Sequence, residues 1–369
     1  MEHSTTTRSS TKPAKVRKTA AKTRTATRRQ TAERRSAKQA PAAINKIKAA
    51  TVSTAAMLKN PAKPLDFVLP GLLLGTVNLE VGPGGVGKSN FALQNSVSVA
   101  IGRDVFNFWG DPDRLFKMKK GKVIYISAED GEQVVTERLK SAYRHLTRAQ
   151  RKAVRQNLSF VFATSFSIVS RREGLLVESD WIRDLHAALQ EMTEKPRLIV
   201  IDTLNRSLGD ANENSTSGMT KVEEALKIIA ETYNCGVQLV HHTIKGTGDA
   251  EAGLKADVAR GSSAAVSNVR SVINLSPDDV NPNVIWYAVT KANYGPKPPT
   301  RFAIRSEDGV LFGSAHHPDK PLAASAIEGR QELVGGHEPF TGRKGDQAPK
   351  VVASVPLSQT DVLPSNLLN

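Results

Sequence analysis

The chain holds a single cysteine, Cys235, in 369 residues. A disulfide framework within the chain is therefore excluded, and the residue reads as a small buried core side chain. No apolar run approaches the roughly 18 residues of a membrane-spanning helix, so a soluble, intracellular protein without membrane partners is expected. Apolar residues make up only 39% of the chain, which suggests a folded core diluted by polar ends. No internal repeat is present.

What is abundant is positive charge, and it is unevenly placed. The formal net charge is +15, and residues 1–60 carry 15 Lys and Arg against only Glu2 and Glu33, a net of +13. The stretch "TKPAKVRKTAAKTRTATRRQTAERRSAKQAP" has almost no large apolar residue, so it cannot bury enough surface to offset its ordering entropy. It reads as an arm that binds a polyanion or an acidic partner, or as a solvated tail. A mitochondrial transit peptide would need an apolar helical face, and this segment has none. From Ser314 onward the chain is rich in Pro, Gly, Ala and Ser without sustained periodicity, and disorder is expected there as well. The expected division is a basic arm over 1–64, a folded core over 65–313 and a low-complexity tail over 314–369.

Within the core, strand-length apolar runs recur at Thr76–Val81, Val123–Ser127, Leu158–Phe162, Leu198–Ile201 and Val237–Val240. Helical patterns at Ser89–Gly102, Gly131–Tyr143, Ser179–Met192 and Gly218–Tyr233 separate them. This alternation predicts an α/β fold with a mostly parallel sheet covered on both faces. Arg270–Leu275, Val284–Thr290, Arg301–Arg305 and Val310–Phe312 follow without intervening helices and predict an antiparallel extension. Ligands of such sheets sit beyond the carboxyl ends of the strands.

"GPGGVGKS" fits G-x-x-x-x-G-K-[ST] from Gly82 through Pro83, Gly84, Gly85, Val86, Gly87 and Lys88 to Ser89, with Asn90 following. A strand precedes it and a helix follows, the context of a phosphate-binding P-loop. Glycines let backbone N–H groups wrap a phosphate, and the helix N-terminus adds partial positive charge. Lys88 is expected at the β- and γ-phosphates of ATP, and Ser89 on Mg²⁺. Asp202 closes the buried run "RLIVID"; a carboxylate there is costly unless paired, and Mg²⁺ is its natural partner, with a cap on the next loop as the alternative. "YISAEDGEQ" offers Glu129, or failing it Asp130, to polarise a water, the other capping the next helix. "LVHHTIKG" carries His241 and His242; neighbours on a strand face opposite ways and cannot chelate together, so His242 is expected towards the phosphates or as a structural residue. Residues 245–262 read as a long loop in which Lys245, Lys255 and Arg260 are candidate DNA contacts, with a solvated loop as the alternative.

"GPGGVGKS", "YISAED", "LIVIDTLNRS", "LVHHTIKG", "RGSSAAVSNVR" and "VTKANYG", in this order, resemble the plasmid-encoded RepA-type replicative helicases. These belong to the wider RecA-like hexameric ATPases, alongside the DnaB and KaiC groups. The resemblance spans about residues 65–312. It implies a hexameric ring in the bacterial cytoplasm, associated with nucleoid or plasmid, with ATP and Mg²⁺ at subunit interfaces and single-stranded DNA through the centre. It implies Glu129 as catalytic glutamate, Asp202 as the Mg²⁺-linked aspartate and His242 as γ-phosphate sensor. Arg270 matches a finger acting on the neighbouring subunit's nucleotide, Arg138 a further arginine near that site, and Lys291 a lysine at the neighbour's γ-phosphate. DnaB-like rings carry an arginine two residues after that lysine; Asn293 stands there in this chain, which moves the finger role to Arg270. The same motifs serve regulatory and recombination ATPases that bind DNA or protein without unwinding, and this is the alternative function.

Overall fold

A computed structural model describes residues 50–59, 62–110, 116–242, 250–254, 266 and 268–319. The basic arm up to residue 49, the tail from 320, and Lys245, Lys255 and Arg260 lie outside these. Before residue 67, a short exposed helix α1 spans Thr54–Lys59.

From Phe67 onward the chain forms a nine-stranded sheet. Its members in chain order are β3 (Val77–Gly82), β4 (Lys122–Ser127), β5 (Leu158–Phe162), β8 (Pro196–Asp202), β9 (Gly236–His242), β10 (Ser271–Pro277), β11 (Val284–Ala292), β12 (Arg301–Arg305) and β13 (Leu311–Ser314). Two hairpins stand apart, β1 (Phe67–Leu69) with β2 (Leu72–Leu73), and β6 (Val169–Arg172) with β7 (Leu175–Glu178). The spatial order is β13-β12-β11-β10-β3-β9-β8-β4-β5. Pairing is parallel from β10 to β5 and antiparallel from β10 to β13. The α/β fold expected from the sequence, with its parallel sheet and antiparallel extension, is the fold observed.

Burial explains why the strands read as continuous apolar runs. All of β3, and all but one terminal or near-terminal residue of β8 and β9, are buried. Helices cover both faces. On one lie α2 (Lys88–Ile101), α3 (Glu132–Arg144) and α4 (Arg148–Asn157); on the other, α5 (Asp180–Glu191), the one-turn α6 (Leu204–Ser207) and α7 (Thr216–Tyr233). The scarce aromatics gather under α2: Phe91 packs in tilted contact with Phe108 at 4.4 Å and with Tyr287 at 5.0 Å, and Trp109 donates to Asn95 Oδ1 at 2.9 Å. Ring pairs of this kind add about 0.5–1.5 kcal/mol each beyond area burial. They anchor the helix that follows the glycine loop.

Several elements escape the sequence pattern, among them α4 and the β6–β7 hairpin. Helix α4 ("RAQRKAVRQN") buries only Val154, so it shows no apolar stripe; a capping box of Thr147 and Gln150 starts it. The β6–β7 hairpin turns at Glu173 (φ 50°) and Gly174 (φ 80°) and exposes Arg171, Arg172 and Leu175 beside that turn.

Candidate active site

The P-loop connects β3 to α2. Gly85 has φ 77° and Gly87 φ 116°, a region that side-chain-bearing residues avoid. A Cβ added at Gly84 or Gly85 would meet nothing within 4 Å, whereas one at Gly82 would lie 2.8 Å from the Leu275 carbonyl oxygen. The first pair therefore leaves an open cradle, and the last is fixed by close packing. From outside the loop, Arg305 on β12 donates to the Val86 carbonyl at 2.9 Å. The Asn90 amide turns away from the cradle and donates to Gly309 at 3.0 Å.

Lys88 is buried. Its Nζ donates to the carbonyls of Gly82 and Pro83, both at 2.9 Å, and lies 3.3 Å from His242 Nδ1. Burial lowers its pKa from the ordinary lysine value, and the negative potentials of Glu80, Asp202 and Glu129 oppose that shift. His241 and His242 point to opposite sides of β9, as the strand period requires; only His242 meets Lys88.

Asp202 ends β8, almost wholly buried. Tyr125, one strand away on β4, donates from its hydroxyl to Asp202 Oδ2 at 2.6 Å. Oδ1 is buried and without a hydrogen-bond partner among the described residues. Burial raises the Asp202 pKa, while the hydrogen bond from Tyr125, the nearby Ser89 hydroxyl and the charge of Arg138 hold it down. An orphaned carboxylate oxygen beside a serine hydroxyl, next to a cradle for phosphate, is a hard-oxygen donor set that fits Mg²⁺. No cluster of three or more His, Cys, Asp or Glu suited to a metal occurs among the described residues.

Glu129 lies exposed at the end of β4 and accepts from Thr203 Oγ1 at 2.9 Å. Asp130 is bound to Arg138 of α3 at 2.6 Å. The expectation that one of these acids caps the next helix is corrected: the cap position of α3 is Gly131, which has no side chain to accept a bond, and Asp130 stands one residue before it, bound to Arg138.

Glu80 was missed by the sequence reading. It lies on β3, fully buried, two residues before the loop, and accepts from the Gln238 amide. Burial raises its pKa well above the usual carboxylate range and Asp202 adds to the rise; Lys88 and the Gln238 bond oppose it. The signal that was available is an acid inside "VNLEVG", a strand buried along its whole length.

Arg270 and Lys291 lie at the opposite end of the sheet. The Arg270 N–H faces Val77, the first residue of β3, and Lys291 pairs with Val272 at the start of β10. The length of β3 separates them from the P-loop by about 16 Å. Arg270 is exposed and borders a cleft of about 490 Å³ lined also by Thr220, Glu223, Lys227, Asn268 and Tyr294. Lys291 donates to the Val266 carbonyl at 2.7 Å; burial and then Arg270 lower its pKa, and Glu223 opposes them. Burial pushes the Glu223 carboxyl up to about 8.

Of the candidate residues, the fold thus brings Lys88, Ser89, Glu129, Arg138, Asp202 and His242 to the carboxyl end of the sheet, and sets Arg270 and Lys291 at the amino end. Within the loop expected over 245–262, residues 250–254 are described, and Asn274 donates to Gly253 there at 3.2 Å.

Among the described residues, no helix is long and apolar enough to cross a membrane. A solved DnaB-like replicative helicase, from a study of its interactions with primase, is similar with a TM-score of 0.51 at 14% identity, covering 77% of this chain and 73% of that one. A solved ATPase domain matches with a TM-score of 0.49 at 15% identity over 72% of this chain and 98% of that one. The RadB recombinase matches with a TM-score of 0.42 at 13% identity over 65% and 91%. The family model described as AAA domain matches residues 43–248, more than half of the chain. The chain belongs to this AAA domain family and is a P-loop ATPase domain of RecA-like fold.

Proposed function

We propose that the chain is the subunit of a ring-forming, ATP-driven DNA helicase or translocase of the RepA type, acting in replication. The observation that carries this reading is the division of the candidate residues between the two ends of the sheet. Arg270 and Lys291 are separated from their own P-loop by more than an arginine side chain spans. Residues of that kind work on a nucleotide only when it belongs to a neighbouring copy, so the catalytic set is completed by a ring of subunits.

In this reading the open backbone at Gly84 and Gly85 and the N-terminus of α2 receive the phosphates. Lys88 exchanges its bonds to Gly82 and Pro83 for β- and γ-phosphate oxygens. Ser89 and Asp202 would hold Mg²⁺, which when bound supplies neutralising charge at the phosphate oxygens. Glu129, fixed by Thr203, orients the attacking water and takes its proton. The water oxygen bonds to the γ-phosphorus as the bond to the β–γ bridging oxygen breaks. His242, beside Lys88, registers the γ-phosphate, and Arg270 of the adjacent copy offsets the developing charge. Lys245, Lys255, Arg260 and the basic arm supply contacts to single-stranded DNA.

The test is phosphate release and displacement of a labelled strand by purified protein with ATP and Mg²⁺, wild type against Lys88→Ala. Both activities are expected in wild type, and neither in the variant. Hydrolysis without displacement would favour a RecA/KaiC-like regulatory or recombination ATPase that binds without unwinding. Unchanged hydrolysis in Lys88→Ala would overturn the site itself.

A further inference from the structure

We propose that Tyr125 is a positioning residue that decides which oxygen of Asp202 is presented to the metal. The inference rests on the reading above in which Asp202 and Ser89 hold Mg²⁺. Tyr125 sits in the interior of β4, 1% exposed, with Val200 of β8 as its cross-strand neighbour. Its ring packs on Phe160 at 5.7 Å, so the side chain approaches the end of β8 from a fixed direction.

The hydroxyl reaches two elements at once. It donates to Asp202 Oδ2 at 2.6 Å, a length typical of an O–H group bonded to a carboxylate, and lies 3.4 Å from the carbonyl oxygen of Ser89. A carboxylate at a strand tip turns about its last torsion through a broad well. Once Oδ2 is held by a donor that cannot move, Oδ1 has one direction left. Oδ1 is the oxygen that is buried and without a partner among the described residues. Partners that orient a ligating carboxylate from behind change metal affinity or activity about 10–100-fold when removed. The bland alternative is a buried tyrosine that merely satisfies its own hydroxyl. That alternative makes no demand on metal affinity, and here the two part.

Tyr125→Phe removes the hydroxyl and keeps the ring on Phe160. Mn²⁺ binding to the protein with a non-hydrolysable ATP analogue, followed by electron paramagnetic resonance, should weaken about 10–100-fold. The Mg²⁺ concentration for half-maximal hydrolysis should rise by a similar factor, while analogue affinity in EDTA stays at the wild-type value. Asp202→Asn is measured in parallel, alone and combined with Tyr125→Phe. If Tyr125 acts through Asp202, its replacement adds nothing in the Asp202→Asn background. Wild-type Mn²⁺ affinity in Tyr125→Phe, with Asp202→Asn impaired, overturns the role of Tyr125 alone. Wild-type Mn²⁺ affinity in Asp202→Asn overturns the metal assignment beneath it. A full further loss in the double variant shows that the hydroxyl acts elsewhere, and also overturns the proposal.

Discussion

Replacing Glu223 by Gln should stabilise the protein increasingly as the solution becomes alkaline. Glu223 lies on α7, 7% exposed, with Oε2 lacking a partner among the described residues. Burial raises its pKa from 4.5 to about 8, against the Asn268 hydrogen bond and the Lys291 charge. The folded state therefore holds this proton more tightly than the unfolded chain. Its stabilising contribution is complete below the unfolded pKa of 4.5 and is lost as the pH rises through about 8. Between those values each pH unit removes about 1.4 kcal/mol, and the loss between pH 6 and pH 8 comes to roughly 2 kcal/mol once the flattening near pH 8 is included. Glutamine has the shape of the neutral acid and does not titrate. Urea melts of wild type and Glu223→Gln at pH 6 and pH 8 measure the effect as a difference, in which the other buried acids, Glu80, Asp202 and Asp104, cancel. The gap should widen by about 2 kcal/mol in favour of the variant, or roughly 4–8 °C in melting temperature for a domain of this size. Parallel pH profiles for the two proteins would refute the reasoning. They would mean that the carboxyl is already ionised beside Lys291 and Arg270 in the folded protein.

Glu129→Gln should bind ATP almost normally and hydrolyse it on the order of 10²-fold more slowly in a phosphate-release assay, because water orientation and proton acceptance alone are removed. If Asp130→Asn shows this phenotype instead, the assignment of the two acids is reversed, despite the bond of Asp130 to Arg138. Arg270→Ala should lose hydrolysis, yet regain some when mixed with Lys88→Ala, since mixed rings contain interfaces with an intact P-loop facing an intact arginine; an arginine finger is worth about 10³–10⁵ in rate, so few such interfaces suffice. No recovery in rings shown to exchange subunits would exclude action on the neighbour. Deleting residues 1–60 should leave basal hydrolysis near wild type and flatten the plot of log K for DNA against log salt. Each phosphate contact is worth about 0.7 for single strands and about 0.9 for duplex, so loss of five contacts lowers the slope by roughly 3 to 5. An unchanged slope would assign the arm's +13 charge to another partner or to none.

The sequence made the parallel half of the sheet legible for a physical reason. β3, β8 and β9 are covered by helices on both faces, and a strand in that position needs apolar side chains on both. The P-loop was legible because its chemistry is local: eight consecutive residues supply backbone, cation and hydroxyl. Helix α4 was not, since "RAQRKAVRQN" is so polar that only Val154 marks its buried side, and its capping box is a weaker signal. The β6–β7 hairpin failed for a related reason: Arg171, Arg172 and Glu173 break the alternation of a half-buried strand.

Contacts made across strands are the other class that sequence order conceals. Arg305 lies 219 residues from Val86, Tyr125 77 from Asp202, and Gln238 158 from Glu80. Each pair depends on strand order and register. In "KVIYIS" the tyrosine passes for one more strand-forming aromatic, and only the placement of β8 beside β4 turns it into the donor for Asp202. The same geometry separates the two buried acids around Lys88. Both have pKa values raised by burial, but the opposing groups differ. Asp202, at the carboxyl end of β8, is met by Tyr125, Ser89 and Arg138. Glu80 has the Gln238 amide and the Lys88 charge against it, and the charge of Asp202 pushes it further towards the neutral form. Among the described residues no carboxylate is hydrogen-bonded to the Lys88 ammonium; its bonds go to the carbonyls of Gly82 and Pro83, with His242 Nδ1 at 3.3 Å. Neutral carbonyls hold an ammonium less strongly than a carboxylate would. In the function proposed above, Lys88 is kept buried and aligned by these carbonyls and exchanges them for the oxygens of a phosphate.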